Sequence, residues 1–324
     1  MKAAICTRYG PPEVLEVREV ETPTPQAGEI RIRIHATTVS SGDCRTRAFD
    51  VPPEFWIPGR LALGLTRPRR PILGSEFAGE VDAVGEGVTR FQVGDAVFAS
   101  TGYDMGGNAE YCCMPANGIV ATKPANLTFQ EAAAVPFGAR TARFLLRDQG
   151  RIEAGQHILI NGASGSVGTY AVQLACHFGA QVTAVCSTRH VEVVRSLGAD
   201  HVIDYTREDF TQGSETYDLI FDAVGKTTVP RCRPILKPAG TFVSAVMPFS
   251  AVKGLWYRLT DGRRVLGGSI PRDPELLLFL RDLCEAGAVR PVIERRYPLD
   301  EIVEAHRYVD QGHKQGNVVI TVAH

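Results

Sequence analysis

The stretch NGASGSVG, residues 161–168, has the residue types of a phosphate-binding turn. It lies between a short apolar run, HILIN, and a segment whose apolar residues recur at helical spacing, which is the context that a dinucleotide-binding fingerprint requires. Ala163, Gly165 and Gly168 occupy the three positions of the G-x-G-x-x-G pattern, with alanine in place of the first glycine. Small residues there permit a tight turn and the close approach of a pyrophosphate. The pattern predicts a dinucleotide site, and the alternative is a merely tight strand–helix turn.

Two further groups of residues extend this predicted site. Ser166 and Val167 begin the helix, where N–H groups and the helix dipole favour a phosphate. In NAD-binding domains an acid about 20 residues downstream binds the ribose 2′-hydroxyl. Here the second strand is followed instead by Ser187, Thr188 and Arg189. Hydroxyls and a guanidinium suit a 2′-phosphate, so the sequence predicts NADP(H), whether or not Ser187 also caps the next helix.

The elements that must position these residues alternate along the middle of the chain. Short apolar strands such as HILIN, QVTAVC, YDLIFDAVG and GTFVSAV are separated by helical segments, which predicts βαβ units and a doubly wound parallel sheet. The first 120 or so residues instead alternate β-branched residues with glycine and proline, as in a compact antiparallel β domain. The tail does not extend the βαβ series, so we expect it to fold back onto the N-terminal domain.

The predicted organisation is therefore α/β with two domains, one of them discontinuous. Residues 1–124 and 288–324 form the β-rich domain, and residues 125–287 form the nucleotide-binding domain, in which a helix is predicted at 274–286.

Composition limits the classes of function. The 324 residues are 44% hydrophobic and 22% charged with a net charge of −1, which is ordinary for a soluble globular protein and predicts neither nucleic acid nor a membrane surface as the main partner. Eight cysteines without a C-x-x-C pair indicate reduced thiols and a cytoplasmic protein. The adjacent Cys112 and Cys113 are interpreted as packing residues, because neighbouring strand residues point to opposite faces.

Four segments, taken in order, resemble the medium-chain dehydrogenase/reductase superfamily, and within it the zinc-free quinone oxidoreductase-like branch. They are PILGSEFAGEVDAVGEGVTRFQVGDAVFA, AAAVPFGARTA, NGASGSVGTYAVQLA and YPLDEIVEAHRYVDQGHKQGNVVI. The resemblance covers essentially the whole chain. It implies a GroES-like N-terminal domain completed by the C-terminal tail, a Rossmann domain between them, and an active site in the cleft.

The resemblance also bears on metals. The three positions that match the catalytic zinc ligands of zinc relatives hold Ser40, Ser75 and Phe137, which are poor zinc ligands. The four-cysteine structural zinc lobe has no counterpart either. No zinc is expected, and without a Lewis acid the accessible chemistry is hydride donation from NADPH to an electron-poor acceptor, a quinone or an α,β-unsaturated carbonyl.

By the same resemblance, the catalytic candidates are Ser40, Asp43 and Arg45 in VSSGDCRTR. The alternatives are that Asp43 caps a helix and that Arg45 and Arg47 are solvated. Glu76 keeps the place that follows the metal-binding histidine of zinc relatives, and we expect it to orient neighbouring polar or basic groups.

The remaining cofactor contacts implied by the resemblance lie along the chain from the nicotinamide ribose to the adenosine phosphate. They are Thr141, Tyr205, Val224, Ala245, Val246 and Asn317, the last replacing a lysine of many relatives.

Residues 50–69 are longer and more apolar than the matching linker of short quinone reductases. Phe55, Trp56 and three leucines there suggest a lid over a bulky hydrophobic substrate, and the alternative is a surface loop or a subunit contact. Two other functions stay open. The basic RPRR motif would suit the phosphorylated carrier of an enoyl thioester, and an NADPH-binding redox sensor or structural protein would share every cofactor feature. Residues 263–270 suggest an edge strand for a homodimer.

Overall fold

The computed structural model describes residues 1–51, 53, 56–246, 251–268 and 270–324. Contacts between Cα atoms divide the chain into two units. The first unit comprises Met1–Phe137, Arg272–Glu285 and Pro291–His324, and the second comprises Gly138–Pro271 and Ala286–Arg290. Phe55, one of the predicted lid residues, lies outside the described residues.

The strands follow one another in chain order as β1 (Lys2–Cys6), β2 (Leu15–Glu19), β3 (Glu29–Val39), β4 (Glu76–Val84), β5 (Ala96–Ser100), β6 (Tyr111–Pro115), β7 (Val120–Thr122), β8 (His157–Asn161), β9 (Gln181–Cys186), β10 (His201–Asp204), β11 (Tyr217–Asp222), β12 (Leu236–Ser244), β13 (Arg264–Gly267), β14 (Ile293–Pro298) and β15 (Asn317–Thr321).

The α-helices are α1 (Ser41–Ala48), α2 (Trp56–Leu63), α3 (Phe129–Ala133), α4 (Pro136–Arg143), α5 (Ser166–His177), α6 (Val191–Ser196), α7 (Val229–Cys232), α8 (Ala251–Asp261), α9 (Glu275–Glu285) and α10 (Ile302–Asp310). Among the described residues, none of these helices combines the length and the apolar character that crossing a bilayer requires.

The first unit is built on a sheet in the order β14-β15-β3-β4-β5-β7, with β6 also paired to β3. The central strand β3 alternates as predicted, because Ile30, Ile32 and Ile34 are fully buried while Arg31 and Arg33 reach the surface side. The tail joins this sheet through β15, which pairs antiparallel to β3, and β14 pairs parallel to β15. The C-terminal residues therefore belong to the same core as the N-terminal ones.

The second unit contains a six-stranded sheet in the order β10-β9-β8-β11-β12-β13, and every pairing in it is parallel. Its strands are apolar on both faces, as in the buried run of β8. The predicted doubly wound parallel sheet is confirmed. The chain leaves β8 toward β9 on one side and returns to β11 on the other, so the strand order reverses beside β8. Ligands of open α/β sheets bind at this point, outside the carboxyl ends of the strands.

The contact boundaries differ from the predicted 124/125 and 287/288. Helix α9 belongs to the first unit, since Arg281 donates to the Thr122 hydroxyl at 3.1 Å and the Asn126 amide donates to the Cys284 carbonyl at 2.9 Å. Helix α3 packs on strands β3, β4 and β5, which extends that unit to Phe137. The predicted boundary at 124/125 therefore lies about a dozen residues before the end of the first unit's N-terminal segment at Phe137.

Candidate functional site

The turn between β8 and α5 is shaped by two glycines at which a larger residue would displace neighbouring atoms. Gly162 has a φ of +81°, and a Cβ added there would lie 2.2 Å from Cγ2 of Val224. A Cβ on Gly168 would lie 2.0 Å from the Gly162 carbonyl oxygen, so helix and turn are in backbone contact. The tight turn, which the sequence pattern assigned to Ala163, is therefore made by the preceding residue, Gly162.

Gly165 has a different role. It is the N-cap of α5, with φ −79° and ψ 176°, and a Cβ there would meet nothing closer than 3.6 Å. The space beside it is open, as the approach of a pyrophosphate requires. Ser166 and Val167 lie in the first turn of α5, where the helix dipole favours a negatively charged group. The turn thus fits the dinucleotide phosphates.

Polar residues at the carboxyl ends of the central strands organise the rest of this edge. Asn161, the last residue of β8, donates from Nδ2 to Oδ1 of Asp222, the last residue of β11, at 3.0 Å. The buried Asp222 carboxylate also accepts the backbone N–H groups of Val224 and Gly225 at 3.1 and 3.2 Å, and burial raises the pKa of Asp222. The predicted contact Val224 is therefore held in place by an Asn–Asp pair that sequence reasoning missed. The sequence signal that could have predicted this pair is the polar residue at the end of each of these two apolar strands.

The other predicted sheet-edge contacts lie beside this pair. Ala245 donates its N–H to the Asp222 carbonyl at 2.9 Å, and Val246 donates its N–H to the Ser244 hydroxyl at 3.3 Å. A Cβ on Gly225 would lie 3.0 Å from Val246. The structure thus brings Val224, Ala245 and Val246 together with the glycine turn.

The predicted 2′-phosphate residues follow β9, and an acid lies against them. The Thr188 hydroxyl donates to the Asp204 carboxylate and lies 2.9 Å from the Thr206 hydroxyl. Asp204 ends the neighbouring strand β10, and its bond from Thr188 lowers its pKa. The sequence predicted no acid at this place, because Asp204 is close to Thr188 only across the sheet. Arg189 and Tyr205 are exposed on the same side.

His190 is a connection that the sequence did not predict. Its Nδ1 lies 3.0 Å from the Ser164 hydroxyl and 3.3 Å from the Ser187 hydroxyl, and the ring is buried. Ser187 makes no side-chain capping bond, so its contact with His190 replaces the predicted alternative of a simple helix cap. His190 joins the glycine turn to the segment after β9.

Thr141 also belongs to the second unit. It is buried in α4, one turn after Gly138, whose added Cβ would lie 2.9 Å from the Ser166 hydroxyl. The helix that carries Thr141 therefore packs against the start of α5.

In the first unit, Ser40 and Asp43 form a capping box at the start of α1. The Ser40 hydroxyl donates to Oδ2 of Asp43 at 2.6 Å and accepts the Asp43 N–H at 3.1 Å, and the Ser40 N–H donates to the same carboxylate at 2.8 Å. Both residues are buried, and burial raises the pKa of Asp43. Asp43 therefore caps helix α1, as the alternative interpretation of the sequence suggested.

The two arginines of α1 differ, although the sequence suggested that both are solvated. Arg45 is exposed, with Nε 4.0 Å from the Asp50 carboxylate. Arg47 is buried, which contradicts that alternative. Its guanidinium donates to Asp310 at 2.7 Å, to Nδ1 of His306 at 3.3 Å and to the Gly10 carbonyl at 3.1 Å. Arg47 therefore ties α1 to α10 of the tail.

One of the positions that match zinc ligands, Phe137, contacts the carboxylate of Glu76. Oε1 of Glu76 accepts the Thr38 hydroxyl at 2.6 Å, two residues before Ser40, and Oε2 accepts the N–H of Phe137 at 2.6 Å. The carboxylate is fully buried, which raises the pKa of Glu76 to about 7. The expectation that Glu76 orients neighbouring polar groups agrees with these two bonds. Among the described residues, no group of three or more His, Cys, Asp or Glu side chains could hold a metal ion.

Lys314 is the basic group whose charge acts on Glu76. It is half-buried and donates from Nζ to the Gly316 carbonyl at 2.6 Å. Burial lowers the pKa of Lys314 to about 8, although the carboxylates of Glu76 and Glu294 act in the opposite direction. Asn317, predicted to bind the cofactor, is buried and donates from Nδ2 to the Val292 carbonyl at 3.1 Å. This hydrogen bond joins the start of β15 to the residue before β14.

Comparison with known proteins agrees with this geometry. The "Alcohol dehydrogenase GroES-like domain" family profile matches residues 26–125, and the "Zinc-binding dehydrogenase" profile matches residues 197–320. The solved quinone oxidoreductase from Coxiella burnetii is 29% identical and superposes with a TM-score of 0.87 over 100% of this chain and 99% of its own. The 2-methylene-furan-3-one reductase of Solanum lycopersicum is 32% identical over 99% of this chain and 79% of its own length.

The mouse NAD(P)H oxidoreductase RTN4IP1, a mitochondrial protein of Mus musculus, is 32% identical over 99% of this chain and 89% of its own length. The chain belongs to the medium-chain dehydrogenase/reductase superfamily, in its quinone oxidoreductase-like branch. As a member of this superfamily it is an oxidoreductase, and its relatives support a nicotinamide cofactor. The predicted superfamily and fold class are confirmed.

Proposed function

We propose that this superfamily member is a zinc-independent, NADPH-dependent reductase that transfers hydride to a quinone or to an α,β-unsaturated carbonyl compound. The observation that carries the proposal is the residue chemistry at the three matched ligand positions, Ser40, Ser75 and Phe137. Zinc sites in proteins use thiolate, imidazole and carboxylate ligands. The Ser40 hydroxyl is hydrogen-bonded in both directions to Asp43, and the phenyl ring of Phe137 has no ligand atom.

Electron-poor acceptors suit a site of this kind. When bound, the nicotinamide supplies a hydride, and a quinone or enone accepts it without a Lewis acid to polarise its oxygen. Two relatives support this acceptor class, since one is named for a quinone and the other for 2-methylene-furan-3-one, itself an α,β-unsaturated ketone.

The chain's own residues then have three tasks. Gly162 and Gly168 allow the tight turn, and Gly165 leaves room for the pyrophosphate at the start of α5. The buried Asn161–Asp222 pair keeps the sheet edge rigid beside it. Ser40 is the hydroxyl that we propose to face the acceptor oxygen. The hydrogen bonds between Ser40 and Asp43 fix the position of that hydroxyl at the start of α1.

The preference for NADPH depends on the segment after β9. Arg189 follows β9, where we propose that the 2′-phosphate binds, and guanidinium groups pair well with phosphate. Asp204 is the group that opposes this preference. Its carboxylate already accepts the Thr188 hydroxyl and the Thr206 N–H, and the Arg207 guanidinium lies 3.4 Å away, so much of its charge is compensated within the chain.

A steady-state screen tests the proposal. Oxidation of NADPH and of NADH is followed with a series of quinones, enones and enoyl thioesters. We expect turnover with quinones or enones and a higher kcat/KM with NADPH. Turnover confined to enoyl thioesters would favour a thioester reductase, and tight NADPH binding without turnover would favour a redox sensor or structural protein.

A further inference from the structure

Helix α2 and the turn after it present a row of exposed apolar side chains. Ile57 and Leu61 lie four residues apart on one face of the helix and are 68% and 59% exposed, and Leu65 follows in the turn at 67%. Trp56, at the start of the helix, is 51% exposed. Large apolar side chains grouped in this way on a surface indicate a site that binds a protein, a membrane or a ligand.

The other side of the same helix is firmly attached to the first unit. The Arg60 guanidinium lies 3.9 Å from the ring centre of Phe49 and 4.7 Å from that of Tyr9, and it donates to the Leu65 carbonyl at 2.6 Å. The Tyr9 hydroxyl donates to the Gly64 carbonyl at 3.0 Å. The Trp56 ring belongs to the same attachment, with its centre 6.1 Å from that of Phe49 and 5.1 Å from the Arg60 guanidinium, so only its exposed half borders the apolar row. The helix is therefore anchored by its polar and aromatic side, while Ile57, Leu61 and Leu65 stay exposed.

Basic residues border this row. Arg67, Arg69 and Arg70 are exposed directly after Leu65. Residues 50–70 contain four arginines and two acidic residues, which gives a local charge of +2 in a chain whose net charge is −1. We call Trp56, Ile57, Leu61, Leu65 and these three arginines the apolar–arginine surface.

We propose that the apolar–arginine surface docks on an anionic lipid bilayer, with the aliphatic row and Trp56 in the interface and the arginines on the headgroups. An apolar helical face with a tryptophan and flanking arginines is typical of helices that lie in the membrane interface. A second copy of the chain fits less well, because the apolar–arginine surface contains no acidic side chain to pair with the arginines of the other copy. The short helix makes the association weak and reversible.

This proposal revises the expectation from overall charge that no membrane is a partner, and it does not depend on the proposed reductase function. Its test is therefore binding without turnover. The purified protein is sedimented with vesicles of phosphatidylcholine alone and of phosphatidylcholine mixed with phosphatidylglycerol, at low and high salt. We expect binding to the mixed vesicles only, and its loss at high salt.

Two triple variants separate the contributions. Arg67→Gln/Arg69→Gln/Arg70→Gln should weaken binding about fivefold for each arginine, and Ile57→Ser/Leu61→Ser/Leu65→Ser should weaken it at least tenfold. Leu259→Ser is the matched control, since Leu259 is 76% exposed in the second unit. It should bind as the unchanged protein does.

Three results would overturn the proposal. They are no binding of the unchanged protein to the mixed vesicles, binding by both triple variants that equals that of the unchanged protein, and a loss of binding in Leu259→Ser as large as that in the triple variants. A serine variant that changes the oligomeric mass in sedimentation, with vesicle binding intact, would show that a second copy covers the surface. The salt dependence of the unchanged protein decides the matter even where a variant fails to fold.

Discussion

The backbone N–H of Phe137 donates a 2.6 Å hydrogen bond to Oε2 of the buried Glu76 carboxylate. Phe137 matches the third zinc-ligand position of the superfamily, and Glu76 follows the second. With the Thr38 hydroxyl on its other oxygen, the carboxylate has one hydrogen-bond partner on each side. This part of the first unit is therefore held by hydrogen bonds between groups of the chain itself.

Glu76 should make stability depend on pH. Its pKa of about 7 in the folded state lies above its ordinary value of 4.5, so its contribution is fully present below about pH 4.5 and is lost as the pH rises through 7. Glu76→Gln should match the unchanged protein at pH 5 and be more stable at pH 8, by up to about 3 kcal/mol. Urea unfolding at the two pH values measures this.

Glu80→Gln is the control for that experiment. Glu80 lies on the same strand, and its bond from Arg33 lowers its pKa, so its loss should destabilise the protein at pH 8. An identical effect of Glu76→Gln at both pH values would contradict the role assigned to burial.

Two glycine substitutions should separate folding from cofactor binding. Gly165→Ala introduces a methyl group with no atom closer than 3.6 Å, so the melting temperature should change little, while NADPH binding weakens at least tenfold because the pyrophosphate loses its space. Gly168→Ala introduces a methyl group 2.0 Å from the Gly162 carbonyl oxygen. It should lower the free energy of unfolding by about 1–3 kcal/mol in addition to weakening NADPH binding. Thermal melts and fluorescence titration of NADPH give both quantities. Unimpaired NADPH binding by Gly165→Ala would remove the turn from the cofactor site.

Arg189 should set the nucleotide preference. Arg189→Ala should weaken NADPH binding about 10- to 100-fold, the value of a hydrogen-bonded charge pair, and leave NADH binding nearly unchanged. Arg195→Ala is the matched control, because Arg195 is exposed nearby and paired with Glu192 at 3.0 Å. Equal losses for the two nucleotides would argue that the protein does not read the 2′-phosphate through Arg189.

The arginines of α1 should differ in their contribution to stability. Arg47→Ala removes a buried guanidinium with its hydrogen bonds to Asp310 and His306, and should cost about 1.5–3 kcal/mol. Arg45→Ala removes an exposed pair at 4.0 Å and should cost less than about 0.5 kcal/mol. Urea unfolding of both variants is the measurement, and similar losses would mean that Arg47 does not join the tail to α1.

Features carried by local pattern were accessible from the sequence. The strand β8, the helix α5 and its end at Gly179 follow from apolar spacing and from glycine's tolerance of positive φ. The alternation in β3 likewise indicated a sheet buried on one face. Helix α8 was not predicted, although it fills the crossover from β12 to β13 that a parallel sheet requires.

Features that depend on distant parts of the chain were not accessible. Asp204 is 16 residues from Thr188 and meets it only because β10 pairs with β9. Arg47 looked solvated because its partners, His306 and Asp310, lie more than 250 residues away. Nothing in the local sequence reports such contacts, whereas the polar ends of apolar strands, as at Asp222, are a signal that can be used.

Turnover and metal content measured on one sample test whether hydride transfer is independent of zinc. NADPH oxidation with a quinone or an enone is followed before and after treatment with a zinc chelator, and zinc is quantified in the same protein. We expect turnover with far less than one zinc per chain and no loss on chelation. Stoichiometric zinc whose removal abolishes turnover would contradict it.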